Sequence, residues 1–186
     1  MIRLERTTRE TRVRVTLDPA ADAAPPVLAT GEPFLDHMLA TLGRYAGLAL
    51  SVEAEGDLRH HLVEDVAITV GEAVGRALPA ACARYGHRVV PMDDALVAAT
   101  LDTGGRAYWE GPLPSALYDH WFRSFADAAR FTLHVQVIRG RDRHHIIESA
   151  FKAVGLALRD ARVETEAVFS TKGSVSLKEV PCSPEG

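Results

Sequence analysis

This sequence contains few cysteines and no long apolar segment. Its two cysteines, Cys82 and Cys182, are far apart and form no Cys-x-x-Cys motif, so a reducing compartment is expected and a disulfide framework is not. No apolar run approaches the roughly 20 residues of a membrane-spanning helix. The first residues, MIRLERTTRETRVRV, lack the apolar core of a signal peptide. We therefore expect a soluble, cytoplasmic protein with no membrane partner.

An excess of positive charge is missing as well. The formal net charge is −4 and the isoelectric point is about 6.1, so no nucleic-acid partner is expected. The content of 47% apolar and 25% charged residues is typical of globular proteins. A chain of 186 residues can bury a core without disulfides or a structural metal. We predict one domain over residues 1–186.

Strand and helix patterns alternate along the first part of the chain. Apolar and polar residues that alternate with a period of two predict half-buried strands, and apolar residues three and four apart predict helices. Pro79 ends the second helical pattern because proline cannot donate the helical hydrogen bond. The predicted elements are a strand (11–17), a loop (18–26), a helix (34–46), a strand (48–55) and a helix from Val63 to about Leu78.

The same types of element recur in the second part. Two strands flank a Gly104-Gly105 turn, and helix, strand and helix follow, as in the first part. The residue pattern of the tail after Thr171 predicts a loop, in which a short strand can form. The second series comprises strands at 94–102 and 106–110, a helix at 117–129, a strand at 131–138 and a helix at 144–161.

A repeated His-His-x-x-Glu motif explains this recurrence. RHHLVED (59–65) is echoed by RHHIIES (143–149), and an ungapped alignment of 60–77 with 144–161 gives 7 identities in 18 positions. Asp-His pairs at His37 and His120 precede the two motifs by 23 and 24 residues. The repeat predicts a duplicated α+β half-domain, with sheets on one side and helices on the other. We place the two pseudo-repeats at about 1–85 and 86–177, before a short C-terminal tail.

The repeated residues suit metal binding. Residues four apart share a helix face, whereas adjacent histidines point about 100° apart, so the two histidines of each pair suit two different metals. A lone His-His pair is more often a capping or surface feature, but the repetition favours a metal site. These residues alone leave the metal open between Zn, Fe, Ni or Cu and Mn or Mg. The predicted ligands, four for each of two metals, are His37, His60, His61, Glu64, His120, His144, His145 and Glu148.

Other residues give weaker signals. His87 and His134 have no counterpart in the repeat, and we interpret His134 as structural. FSTKGS (169–174) combines hydroxyl, lysine and glycine in a way that suits an anion, but such stretches are usually ordinary turns. Arg84 and Arg106 flank the segment PMDDALVAATLD; arginine suits phosphate, although surface arginines are common.

Taken together, these motifs resemble the imidazoleglycerol-phosphate dehydratase family. The resemblance runs in order from about Arg6 to Leu177 through RTTRET, FLDHML, HHLVEDVAITVG, PMDDALV, LDTGGRAY, RHHIIESAFKA and STKG. It implies a ribosomal-protein-S5-domain-2-like fold and two Mn²⁺ ions per active site, held by the eight residues above. It also implies a homo-oligomer of twenty-four subunits (a 24-mer) built from trimers, with metal sites completed between neighbours.

The resemblance also implies a reaction, the dehydration of imidazole glycerol phosphate to imidazole acetol phosphate in histidine biosynthesis. Two metals would favour the imidazolate form of the substrate ring, which expels the neighbouring hydroxyl. Loss of a side-chain proton to a base then gives an enol that tautomerises to the ketone. Glu10 matches the position of that base. Arg84, Arg106, Ser170 and Lys172 match the phosphate-binding positions of the family.

The sequence departs from the family pattern in places. The lead-in Gly56-Asp57-Leu58-Arg59 before the first His-His pair is about three residues short, and the segment from Pro79 to Arg84 is also short. Tyr45, Asp142 and Phe169 replace a histidine, an asparagine and a proline. Two alternatives follow: another dinuclear enzyme, such as a metal-dependent phosphate hydrolase, or a non-catalytic or altered-substrate relative that keeps the metals for assembly.

Overall fold

The structure is a computed structural model that describes residues 1–19 and 27–166. Its elements follow one order twice, with three strands, a helix, a strand and a helix in each half. The first half contains β1 (Ile2–Thr7), β2 (Thr11–Asp18), β3 (Leu28–Ala29), α1 (Pro33–Ala46), β4 (Ala49–Gly56) and α2 (Arg59–Ala77). The second contains β5 (Tyr85–Met92), β6 (Ala95–Asp102), β7 (Tyr108–Glu110), α3 (Ala116–Ala129), β8 (Thr132–Arg139) and α4 (Arg143–Ala161).

The two halves also share a sheet topology. The strand orders are β1-β2-β4-β3 and β5-β6-β8-β7. In each sheet the first three neighbours pair antiparallel, and the short last strand pairs parallel to its neighbour. The predicted fold class, a duplicated α+β half-domain, is therefore confirmed.

Each sheet buries one face, as its periodicity predicts. In β2 the side chains of Val13, Val15 and Leu17 are buried, while Arg12 and Arg14 point to solvent. An antiparallel sheet packed on one side gives this alternation. The helices therefore cover only the inward face of each sheet.

The helices of the two halves pack on each other. The first-half helix α2 lies against α3 of the second half, and α1 lies against α4, while α2 and α4 also pack on the sheets of their own halves. The expected arrangement, with sheets on one side and helices on the other, holds only within a half. In the whole molecule the helices meet between two sheets because α2 and α4 bury apolar residues on more than one face.

A repeated glycine allows these helices to approach closely. A Cβ on Gly71 would lie 2.5 Å from the Phe125 carbonyl oxygen of α3, and one on Gly155 would lie 2.9 Å from the Tyr45 Cβ of α1. Gly71 and Gly155 occupy equivalent positions in the repeat. Both crossings therefore depend on the lack of a side chain at one position of the duplicated helix.

Some predicted elements need correction. Strands β1, β3 and β5 were not predicted, and α2 begins at Arg59 rather than Val63. The strands around Gly104-Gly105 exist, but they do not pair with each other, because β8 lies between β6 and β7. The proposed strand in the tail lies outside the described residues. Among the described helices, none has the length and apolarity needed to cross a bilayer.

Candidate metal centre

The described residues form two candidate metal clusters, and the first joins α1 to α4. Glu148 Oε2 lies 3.2 Å from His37 Nε2 and 3.1 Å from His144 Nε2. Burial alone would raise the pKa of Glu148, but the hydrogen bonds from Lys152 and His37 outweigh it and lower that pKa. The second carboxylate oxygen of Glu148 lies 2.9 Å from Lys152 Nζ. This cluster takes one ligand from the first half and two from the second.

The second cluster joins α2 to α3 in the opposite sense. His60 Nε2 lies 3.7 Å from Glu64 Oε2, and His120 Nε2 lies 3.3 Å from Glu64 Oε1. The rings of His60 and His120 stack with centroids 5.0 Å apart. Two ligands here belong to the first half and one to the second. Each cluster is therefore shared between the halves. The two halves exchange roles from one cluster to the other.

The geometry of both clusters fits a metal ion. Two ligand atoms that bind one ion at about 2.1 Å lie roughly 3.0–3.4 Å apart in right-angled or tetrahedral coordination, and most of the measured separations fall in this range. His120 Nε2 is a buried polar atom with no hydrogen-bond partner among the described residues, which a metal ion would satisfy. Imidazole and carboxylate together suit a divalent transition metal.

The Asp-His pairs contribute one structural residue and one candidate ligand each. Asp36 accepts hydrogen bonds from the Thr30 backbone N–H at 3.0 Å and the Thr30 hydroxyl at 2.7 Å. Asp119 accepts one from the Leu113 N–H at 3.2 Å. Each aspartate thus holds the loop before its helix, and the histidine that follows faces a cluster. This explains why the two residue types recur together.

His61 points away from both clusters, toward the β1–β2 turn. Its Nδ1 lies 3.0 Å from Asp57 Oδ1 and 3.5 Å from Glu10 Oε2. The hydrogen bond with Asp57 raises the pKa of His61 and lowers that of Asp57. Glu10 is 54% exposed, and its backbone carbonyl accepts from the Asp57 N–H at 3.0 Å. Glu10 therefore sits beside the His-His motif with a largely exposed carboxylate.

His145 points away from the clusters in the same manner. Its Nδ1 lies 2.7 Å from Asp94 Oδ1, and its Nε2 lies 3.3 Å from Asp93 Oδ2. The His145 hydrogen bond, together with those from the Arg141 and Asp142 backbone N–H groups, lowers the pKa of Asp94 to about 2. The structure thus gathers six of the eight predicted ligands into two clusters and leaves one histidine of each pair outside.

Arg59, at the shortened lead-in, joins two helix starts. Its Nε lies 2.7 Å from Glu32 Oε2, directly before α1. The N-cap residue of α2, Leu58, makes no side-chain cap, whereas Asp142 caps α4 by accepting from the His144 N–H. The ion pair therefore fixes the start of α2 from outside the helix.

The predicted phosphate-binding residues lie elsewhere in the chain. Arg84 pairs with Asp102 through Nε at 2.7 Å and a terminal nitrogen at 2.9 Å, and its backbone N–H donates to the Ala161 carbonyl at the end of α4. Arg106 is exposed, and its carbonyl accepts from the Thr132 hydroxyl at the start of β8. Ser170 and Lys172 lie outside the described residues.

Four residues near the candidate ligands were not predicted from the sequence. Asp57 and Asp94 bind the outward histidines, Asp93 contacts His145, and Lys152 contacts Glu148. The contacts of Asp57 and Lys152 could have been predicted from the sequence, since each residue lies four positions from its partner. Asp94 is remote in sequence and was visible only as part of the PMDDALV stretch.

The chain is similar to proteins of one family throughout most of its length. A family model described as imidazoleglycerol-phosphate dehydratase matches residues 30–158. Among curated proteins, the imidazoleglycerol-phosphate dehydratase of Pyrobaculum calidifontis is 46% identical over 90% of this chain and 96% of its own. That of Salinibacter ruber is 45% identical over 93% and 94%.

Solved structures lead to the same family. The dehydratase of Pyrococcus furiosus, in complex with (S)-C348, has a TM-score of 0.82 and 37% identity, covering 92% of this chain and all of its own. The Staphylococcus aureus dehydratase has a TM-score of 0.77 and 31% identity, covering 88% and 98%. On these matches, the chain belongs to the imidazoleglycerol-phosphate dehydratase family.

Proposed function

We propose that this protein is a manganese-dependent hydro-lyase that converts imidazole glycerol phosphate to imidazole acetol phosphate in histidine biosynthesis. The observation that carries the proposal is the pair of His-His-Glu clusters, each built from both halves of a chain of this family. Two clusters suit a substrate whose imidazole ring offers two nitrogens. Two bound Mn²⁺ ions would act as Lewis acids on that ring and favour its imidazolate form.

The residues of the chain would supply the remaining chemistry. Glu10 is the proposed base that removes the side-chain proton, since its carboxylate is exposed and lies beside His61. Lys152 lies 2.9 Å from Glu148 and offsets part of the negative charge of that cluster. The phosphate group would bind Arg84, Arg106, Ser170 and Lys172, which match the family positions.

Among the described residues, Arg84 lies far from the cluster around Glu148. The Arg84 N–H binds the Ala161 carbonyl at the C-terminal end of α4, whereas Glu148 lies in its first turns. The 13 residues between positions 148 and 161 correspond to about 20 Å along a helix. We therefore propose that a neighbouring copy supplies the phosphate-binding arginines.

The outward histidines support the same arrangement. Within the described part of the chain each cluster has three ligands, one fewer than the predicted four, while His61 and His145 face outward. We propose that they complete the clusters of neighbouring copies. The family resemblance then favours trimers that assemble into a shell of twenty-four subunits.

An activity assay tests the proposal directly. Metal-free and Mn²⁺-loaded protein would be incubated with imidazole glycerol phosphate, and imidazole acetol phosphate would be measured. We expect product only with metal, and Glu10→Gln should lower turnover by about 10²–10⁴-fold without loss of bound manganese. Bound manganese without product from the wild-type chain would contradict the proposal and indicate a role in assembly. Phosphate release from simple esters would indicate a hydrolase.

A further inference from the structure

The two halves place a carboxylate at the same position beside each outward histidine. Glu10 and Asp94 each directly precede the second strand of their half, β2 or β6. The equivalence is supported by two glycines before the His-His helices: a Cβ on Gly56 would meet Thr11 at 3.0 Å, and one on Gly140 would meet Ala95 at 3.2 Å. Glu10 and Asp94 therefore occupy equivalent positions in the two halves.

These two carboxylates are held very differently. Glu10 Oε2 lies 3.5 Å from His61 Nδ1, and the side chain makes no hydrogen bond among the residues that the structure describes. Asp94 Oδ1 lies 2.7 Å from His145 Nδ1, and its Oδ2 accepts from the Arg141 N–H at 2.6 Å and the Asp142 N–H at 3.2 Å. Asp94 is thus fixed by three donors, whereas the Glu10 carboxylate has only the longer contact with His61.

In the first half another residue replaces Asp94. Asp57 Oδ1 lies 3.0 Å from His61 Nδ1 and also accepts from the Leu58 N–H at 2.6 Å. Each outward histidine therefore has a fixed carboxylate at Nδ1. An ionised carboxylate can only accept, so it selects the tautomer with its proton on Nδ1 and a lone pair on Nε2.

We propose that Asp94 is a positioning residue, which holds His145 in the tautomer and orientation that a metal ion bound at Nε2 requires. The inference rests on the proposed metal-binding function and deepens it. Asp93, which lies 3.3 Å from Nε2, is 72% exposed, so its side chain can rotate away when an ion binds. Asp57 would position His61 in the same way, which leaves Glu10 available as the base.

The variant Asp94→Asn separates positioning from mere bracing of the loop. The two backbone N–H donors at Oδ2 require the amide oxygen there, so the amide NH₂ must face His145 Nδ1. His145 Nδ1 must then accept a hydrogen bond from this amide. The imidazole proton therefore moves to Nε2, where it prevents the binding of a metal ion. Asp94→Asn thus keeps the loop bonds and reverses the tautomer, whereas Asp94→Ala loses both.

Manganese affinity is the measurement that tests this inference, with free Mn²⁺ followed by its electron paramagnetic resonance signal during titration. We expect both Asp94 variants to bind Mn²⁺ about 10–100-fold more weakly at the site that His145 completes. The control Asp160→Asn removes the same charge from α4 at its far end, where Asp160 pairs with Arg88 at 2.8 Å, and should bind as the wild type does. Thermal unfolding of the metal-free proteins would verify that each variant is folded.

The outcomes distinguish this inference from the proposed function. If Asp94→Asn binds as tightly as wild type while Asp94→Ala does not, Asp94 only braces the loop and the inference is overturned. If the wild-type chain binds Mn²⁺ and the Asp94 variants are weakened, but no chain forms product, the positioning role stands and the proposed reaction fails. A wild-type chain that binds no Mn²⁺ would overturn both.

Discussion

Neighbouring residues in the site motifs have separate tasks. Asp36 holds a loop and His37 faces a cluster, and His60 turns inward where His61 turns outward. The 100° step between adjacent helical residues accounts for the second separation. Sequence spacing predicts this divergence and the His60–Glu64 pairing. It does not predict which helix docks beside them, because that depends on contacts remote in sequence.

The ion pair between Arg84 and Asp102 gives a prediction for how the stability of the fold depends on pH. Asp102 accepts two bonds from Arg84 and one from the Gly104 N–H, and the Arg84 hydrogen bonds lower its pKa despite partial burial. Since its pKa is depressed in the folded state, Asp102 stabilises the fold above the pKa of an unfolded aspartate, about 3.9, and this stabilisation is lost as the pH falls through its folded value.

We therefore expect Asp102→Asn to lower the free energy of unfolding by about 1–3 kcal/mol at pH 7, and by progressively less below about pH 4. Urea denaturation at a series of pH values measures this. Asp160→Asn breaks a more exposed pair and should cost under about 1 kcal/mol. An Asp102→Asn deficit that did not change with pH would show that the ionised carboxylate is not the stabilising group.

At the scale of elements, the ends of two equivalent helices use one conformation with different residues. Gly47 ends α1 with φ of 66°, and Arg130 ends α3 with φ of 58°. A left-handed backbone costs a non-glycine residue about 1 kcal/mol or more. The duplicated helix therefore kept its terminal turn, although Arg130 also donates to the Gly105 carbonyl at 3.0 Å.

This contrast predicts that substitutions at the two positions have opposite effects on the stability of the protein. Gly47→Ala should destabilise the protein by about 1 kcal/mol, and Arg130→Gly should stabilise it by less than that, since the hydrogen bond to Gly105 is lost. Differential scanning calorimetry of both variants provides the comparison. Destabilisation by Arg130→Gly would mean that its side-chain contact outweighs the backbone strain.

The crossing of α2 and α3 gives a second prediction at this scale. Gly71→Ala would place a methyl group against the Phe125 carbonyl oxygen, so the helices must separate. We expect a loss of about 1–3 kcal/mol and weaker metal binding, because Glu64 and His120 lie on the two displaced helices. Gly75→Ala, where the nearest atom would be 3.1 Å away, provides a milder control. Unchanged metal affinity in a destabilised Gly71→Ala protein would show that the cluster tolerates the shift.

The strands that the sequence did not reveal share a physical cause. All three, β1, β3 and β5, lie at sheet edges, where a strand has one neighbour, and each carries few buried apolar residues. In β5, Tyr85, Gly86 and Pro91 also weaken the strand pattern. Central strands such as β2 and β6 were predictable because their apolar residues alternate against the core.

At the scale of the whole molecule, metal binding and assembly should depend on each other. Each chain directs His61 and His145 outward and keeps Arg84 remote from its own Glu148 cluster. We expect removal of the metal with a chelator to lower the particle mass, and added Mn²⁺ to restore it. Light scattering coupled to size-exclusion chromatography measures the mass. A particle of constant mass through chelation would show that the subunits associate without the metals.

The crossed clusters also bear on the ancestry of the chain. A single half contains His37, His60 and Glu64, or their equivalents. Among the described residues, His60 and Glu64 share a cluster, but its third member is His120 of the other half rather than His37. An ancestor with the length of one half could form both clusters only as a dimer with a twofold axis. Each copy would then contribute one histidine to the cluster of the other. Fusion of the two genes would then have made that exchange permanent, and freed Glu10 and Asp94 to evolve apart.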